Sequence, residues 1–149
     1  MKSYEIERKY LITNPPANLS SYPCHDIEQG YLCTNPVVRI RRQDDTFFLT
    51  YKSKGLMVRE EYNLPLTGEA YEHLKTKIDG RLICKRRYLI PLPPYTIELD
   101  LFSSPKEGLL LAEVEFPTEE EALAFLPPAW FGEDVTNSPL YHNSNLSKL

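Results

Sequence analysis

Along most of the chain apolar and polar residues alternate with a period of two, which places every second side chain on one face of an extended strand. Runs of this kind, rich in aromatic and β-branched residues, occupy residues 4–12, 26–32, 37–43, 46–54, 58–64, 82–90, 95–102 and 109–116, and they predict about eight strands. Turn-forming residues separate them: Asn14-Pro15-Pro16, Thr34-Asn35-Pro36, Asp44-Asp45, Pro91 to Pro94, and Ser103-Ser104-Pro105 through Gly108. Separators this short imply antiparallel neighbours. Three segments carry helical signals instead. Thr67 is placed to cap a helix over 68–78, with Gly80 as its stop. Thr118 and Glu121 have capping-box spacing at the start of a helix over 119–125 that Pro127-Pro128 ends. Ser138-Pro139 reads as an N-cap followed by proline at the first helical position, opening a short helix through Leu146.

The ionic side chains fall in i, i+2 sets on one face of strand after strand: Glu5, Glu7 and Lys9; Arg39 and Arg41; Lys52 and Lys54; Arg59 and Glu61; Lys85 and Arg87; Glu98 and Asp100; Glu113 and Glu115. The intervening positions are more apolar, as at Val38, Ile40, Tyr62, Leu64, Ile97, Leu99, Leu101, Ala112, Val114 and Phe116. An open sheet could turn such a charged face to water and pack its apolar face on helices. A solvated face would mix neutral polar residues and both signs, whereas here acids and bases segregate by strand. The alternative is a sheet closed on itself, with ionic faces lining a lumen and apolar faces covered by the helices.

Charges confined in a lumen need mutual pairing or a ligand, because removing an unpaired ion from water costs several kcal/mol. Clustered Arg and Lys suit phosphate oxygens. Clustered Glu and Asp suit hard divalent cations such as Mg²⁺ or Mn²⁺. Together they describe a site for a metal-bound polyphosphate. The sequence has no Gly-rich Walker loop, so side chains would hold the phosphates.

With 149 residues the chain is the size of one ordinary domain, 1–149, and shows no internal repeat or dividing linker. A formal net charge of −4 and a pI near 5.4 argue against a protein that coats nucleic acid. Cys24, Cys33 and Cys84 form no CxxC pair, which indicates neither a zinc site nor a redox motif. The charged start MKSYEIERKYLI lacks the apolar core of a secretory signal, and no apolar run is long enough to span a membrane. A cytoplasmic protein with no membrane partner is expected.

The segment Glu5-Ile6-Glu7-Arg8-Lys9 resembles the ExExK signature of the CYTH family, the triphosphate tunnel metalloenzymes. Gln29-Gly30-Tyr31-Leu32, Val38-Arg39-Ile40-Arg41, Thr50-Tyr51-Lys52, Arg59-Glu60-Glu61-Tyr62, Lys85-Arg86-Arg87, Glu98-Leu99-Asp100 and Ala112-Glu113-Val114-Glu115 follow in that family's order. The closing residues Asp134-Val135-Thr136 and Tyr141 to Leu146 are similar to the end of its short bacterial members.

The resemblance implies an eight-stranded antiparallel tunnel, Mg²⁺ or Mn²⁺ dependence, and a linear triphosphate or triphosphate-bearing substrate. It implies metal ligands at Glu5, Glu7, Glu113 and Glu115, with Glu61, Glu98 and Asp100 as further ligands or water-positioning carboxylates. The phosphate cradle would be Lys9, Arg39, Arg41, Lys52, Lys85 and Arg87. Asn63 stands where many relatives carry another acid, and His142 where an aromatic residue is common. His142 is read as an ordinary exposed or capping histidine.

The expected reaction is attack of water on a terminal phosphorus of tripolyphosphate, giving orthophosphate and pyrophosphate. Lys85 would be the base if neighbouring cations depress its pKa; otherwise Glu61 or Glu98 would orient the nucleophile. Adenylyl cyclisation, thiamine or nucleoside triphosphate hydrolysis, and non-catalytic polyphosphate binding are the alternatives. The oligomeric state, a homodimer included, is left open.

Overall fold

Eight antiparallel strands close into a barrel in the computed structural model, which describes residues 2–149. In chain order they are β1 (Lys2–Leu11), β2 (Cys24–Thr34), β3 (Val37–Gln43), β4 (Thr46–Lys52), β5 (Val58–Pro65), β6 (Asp79–Leu92), β7 (Tyr95–Ser104) and β8 (Leu110–Glu115). Around the barrel the order is β1-β5-β4-β3-β2-β6-β7-β8, with β1 pairing β8 to close the ring. The predicted run 37–43 is reproduced residue for residue, and the other seven differ from the observed strands only at their ends. Lys54 lies beyond β4 and is exposed, so the expected Lys52/Lys54 pair does not form.

The helices are α1 (Gly68–Lys75), α2 (Glu119–Ala124) and α3 (Asn143–Leu146). Thr67 caps α1 by accepting the Ala70 N–H at 3.0 Å, and Thr118 caps α2 by accepting that of Glu121 at 3.1 Å. Two expectations are corrected. Gly80 does not stop α1, which ends at Lys75 with Thr76 as its C-cap; it lies in β6 with φ +73, where a Cβ would come 2.5 Å from the Ser147 carbonyl oxygen. Glycine there lets the C-terminal segment approach closely enough for the Arg81 N–H to donate to that oxygen at 2.7 Å. The helix opened by Ser138 is a 3₁₀ turn, Pro139–Tyr141, followed by α3, and the Ser138 side chain makes no cap.

The outward faces of β1 and β6–β8 bury Tyr10, Ile90, Ile97, Leu99, Ala112, Val114 and Phe116 beneath α2 and the aromatic residues Phe125, Trp130 and Phe131. On the opposite side α1 sets Tyr71 against Phe47, ring centres 5.2 Å apart. Leu64, 51% exposed, is left uncovered. A second cluster corrects the picture of a wholly ionic interior. Tyr31, Val37, Ile83, Phe102 and Leu111 share strand faces with the charged residues but pack against Val135 and Leu146. The C-terminal segment therefore plugs one part of the barrel with apolar side chains. The charged cavity occupies the rest.

Candidate active site

The charged cavity measures about 240 Å³ and is lined by Glu5, Glu7, Lys9, Arg39, Arg41, Lys52, Arg59, Glu61, Arg87, Glu98, Glu113 and Glu115, among others. All four residues of the expected cradle on β1, β3 and β4 reach it, as does Arg87 of β6. Lys85 does not line it; its ammonium is buried against Asp100, Nζ to Oδ2 2.7 Å.

Most of the interior charges are paired. Glu5 takes Lys52 Nζ at 2.7 Å and an Arg59 terminal nitrogen at 3.0 Å. Burial works to raise its pKa, but these two cations prevail and hold it at about 2. Asp100, fully buried, receives Arg87 in a two-bond fork, Nε to Oδ1 2.8 Å and Nη2 to Oδ2 2.9 Å, in addition to Lys85. Glu98 also accepts from Arg87, at 3.0 Å. Glu113 stands 3.4 Å from Lys9 and 3.6 Å from Arg87, and against the effect of burial these cations keep its pKa well below the usual range. Glu61 lies 3.6 Å from Lys52.

Four groups around the cavity, three buried and Glu115 at its exposed rim, depart from this pairing. Among the described residues Arg39 and Arg41 form no ion pair, although both are buried. Their contacts are neutral: Arg39 reaches Thr50 Oγ1 at 3.5 Å, and Arg41 Nε donates to Gln29 Oε1 at 2.9 Å. Burial, with Arg39 and Arg87 nearby, lowers the pKa of Arg41 to about 9. On the other wall Glu7 and Glu115 form no ion pair among the described residues. They face each other across β1 and β8. Burial and the charges of Glu113 and Glu5 raise the pKa of Glu7 well above the ordinary value, and burial with Glu98, Glu5 and Glu113 raises that of Glu115 to about 7.

The expected acidic set divides in space. Carboxylate oxygens of Glu5, Glu7 and Glu115 lie within 4.8 Å of one another, a gathering of hard oxygen donors suited to a divalent cation. Glu113 and Asp100 are engaged by cations instead. Asn63 lines the cavity, accepting from Thr50 Oγ1 at 2.6 Å and donating to Glu61 at 3.1 Å.

His142 is a correction. It is neither exposed nor a side-chain cap: only 7% accessible, it lines the cavity, and burial beside Lys9 and Arg59 lowers its pKa to about 4. The C-terminal segment brings it there, held to β1 by Lys9 Nζ donating to the Tyr141 carbonyl at 3.1 Å and the Lys9 N–H donating to Thr136 Oγ1 at 2.9 Å. Arg59 was visible in the sequence as the i, i+2 partner of Glu61 but had no assigned role. Gln29 and Thr50 lie in the motifs shared with the family but had no assigned role, because the alternation of charge singles out ionic positions only.

No family model matches the chain. Over 145 residues it is 40% identical to an inorganic triphosphatase of Nitrosomonas europaea, covering 96% of each chain, and over 148 residues 38% identical to one of Acetivibrio thermocellus, covering 97% of this chain and 93% of that one. A crystal structure of an inorganic triphosphatase superposes with a TM-score of 0.70 at 38% identity, covering 96% of this chain and 93% of the other. Identity at this level, sustained from end to end on the same closed barrel, means that the chain belongs to the inorganic triphosphatases of the triphosphate tunnel family.

Proposed function

We propose that the chain hydrolyses inorganic tripolyphosphate to pyrophosphate and orthophosphate inside the barrel, with the help of a divalent cation. The observation that carries this reading is the separation of unpaired charge across one cavity. Among the described residues, two buried guanidiniums with no carboxylate paired to them, Arg39 and Arg41, occupy one wall, and two carboxylates with no cation paired to them, Glu7 and Glu115, occupy another. A ligand that is itself an anion carrying a cation satisfies both walls at once.

Glu5, Glu7 and Glu115 would hold the cation, Mg²⁺ or Mn²⁺ by the hardness of their oxygen donors. When bound, such an ion neutralises phosphate charge and makes a water molecule a better nucleophile. Arg39 and Arg41 would bind phosphate oxygens through two-pronged hydrogen bonds, and Lys9, Lys52 and Arg87 would add charge around the chain. Holding the phosphates and the water in line supplies most of what phosphoryl transfer requires. Burial and the nearby Arg87 and Arg41 lower the pKa of Lys85 to about 8 against the opposing pull of Asp100. That shift makes Lys85 a readier proton acceptor than a free lysine, but its ammonium is held against Asp100 outside the cavity lining, so it would act on the attacking water only through an intervening water. Glu98 and Glu61 would orient the water or the groups around it.

The deciding experiment measures orthophosphate, pyrophosphate and cyclic AMP release from tripolyphosphate, ATP, thiamine triphosphate and pyrophosphate, each with Mg²⁺, Mn²⁺ or chelator. Tripolyphosphate should give the highest kcat/KM, and chelator should abolish turnover. ATP converted preferentially to cyclic AMP, or hydrolysis undiminished in chelator by metal-free protein, would overturn the reading.

A further inference from the structure

Two arginines of the barrel interior, Arg41 and Arg87, are held in opposite ways. Arg87 is clamped by Asp100 and Glu98, and its charge is matched where it sits. Arg41 is held at Nε by the side-chain oxygen of Gln29, directly opposite it in the register of β2 and β3, at 2.9 Å. We infer that Gln29 is a positioning residue of the tunnel, a neutral amide that fixes the Arg41 guanidinium for the substrate without cancelling its charge. This inference rests on the triphosphatase reading above.

Several observations converge on it. Gln29 is fully buried, so its amide cannot wander into solvent and its hydrogen bond faces no competition from water. A guanidinium is planar, and a bond at Nε fixes the plane and leaves its terminal nitrogens for another partner. Arg41 lines the cavity, forms no ion pair among the described residues, and has its Cζ 6.0 Å from the centre of the Phe48 ring. Among the described residues the Gln29 Nε2 group has no partner, although it is buried. A buried amide satisfied on one side only is a poor choice for stability alone. A glutamate of the same shape would pair with Arg41 as Asp100 pairs with Arg87, and the anion site would lose a cation. Burial, with Arg39 and Arg87 nearby, depresses the Arg41 pKa despite the opposing pull of Asp100, in keeping with a guanidinium that no carboxylate pairs directly among the described residues.

The test uses Gln29→Glu, which keeps shape and adds charge, and Gln29→Met, which keeps volume and removes the acceptor. Each is made in the wild-type and Arg41→Ala backgrounds, with tripolyphosphate as the probe. Steady-state kinetics under Mg²⁺ separate KM from kcat, and calorimetry gives the tripolyphosphate Kd. Gln29→Glu should raise KM and Kd at least about tenfold and Gln29→Met severalfold, with smaller changes in kcat. In the Arg41→Ala background both penalties should largely vanish, because the residue acts through Arg41. As a readout independent of folding yield, the Arg41 Nε–H resonance should be slow to exchange in the wild type and fast in Gln29→Met.

A purely structural Gln29 would instead give equal penalties with or without Arg41. That result, or a Gln29→Glu variant within twofold of wild type in KM and Kd, overturns the inference and leaves the triphosphatase reading intact. If the wild-type protein neither binds nor hydrolyses tripolyphosphate, the functional reading itself fails and this inference falls with it.

Discussion

Glu7 and Glu115 stand directly opposite each other on β1 and β8, two carboxylates in register with no cation paired to either among the described residues. Like charges at such a position destabilise a sheet. Glu115→Gln should therefore raise the stability of the cation-free protein, by about 0.5 kcal/mol, while lowering turnover at least about tenfold through loss of a ligand. Thermal denaturation in chelator and a tripolyphosphate assay in Mg²⁺ check the two halves. Lower stability together with unchanged turnover would remove Glu115 from the proposed ligand set.

Cation binding should release protons. Glu115 has a pKa of about 7 in the fold against an ordinary 4.5, so its raised pKa stabilises the cation-free fold at low pH. That contribution is lost as pH rises through 7. The cation needs the ionised form, and because Glu7 must also ionise, its affinity should fall at least about tenfold for each pH unit below 7. His142, with a pKa of about 4, stays neutral across this range and does not mask the effect. Calorimetric titration with Mn²⁺ between pH 6 and 8, in buffers of different ionisation enthalpy, should show the slope and the released proton. Glu115→Gln should make it shallower, the remainder belonging to Glu7, whose pKa is also raised.

Much of the barrel was legible in the sequence because alternation reports faces directly: run 37–43 fell on β3, and Glu98 and Asp100 turned inward while Ile97 and Leu99 were buried outside. Alternation is blind to position along the barrel axis. It could not reveal that Phe102, two residues from Asp100 on the same face, belongs to an apolar plug with Leu146. Nor could it assign partners across strands, and the engagement of Asp100 by Lys85 and Arg87 left no trace in the alternation. His142 reaches the cavity through a tether between Lys9 and Tyr141, separated by 132 residues, for which no local pattern exists.

Lys85→Ala should lower kcat more than it raises KM if Lys85 accepts the proton of the attacking water. The pH profile of kcat should show a rising limb near 8 in the wild type, since the base form gains population as pH passes its pKa. A variant impaired only in KM, with the limb preserved, would assign Lys85 to phosphate binding alone.

Arg87→Ala and Arg41→Ala should separate stability from function, although both remove a buried guanidinium from the same cavity. Arg87 makes two of the bonds that keep fully buried Asp100 ionised and a further one to Glu98. Its removal leaves carboxylates buried with less compensation, a change that costs about 3 kcal/mol. Arg41 pairs with no carboxylate among the described residues, only attracting Asp100 from a distance, and losing it relieves repulsion from Arg39 and Arg87. Arg41→Ala should therefore keep its stability within about 1 kcal/mol of wild type, because relief of a desolvated charge offsets the lost packing. Both variants should bind tripolyphosphate more weakly. Urea denaturation beside tripolyphosphate calorimetry distinguishes them, and Arg41→Ala as unstable as Arg87→Ala would mean that Arg41 holds the barrel together rather than waiting for an anion.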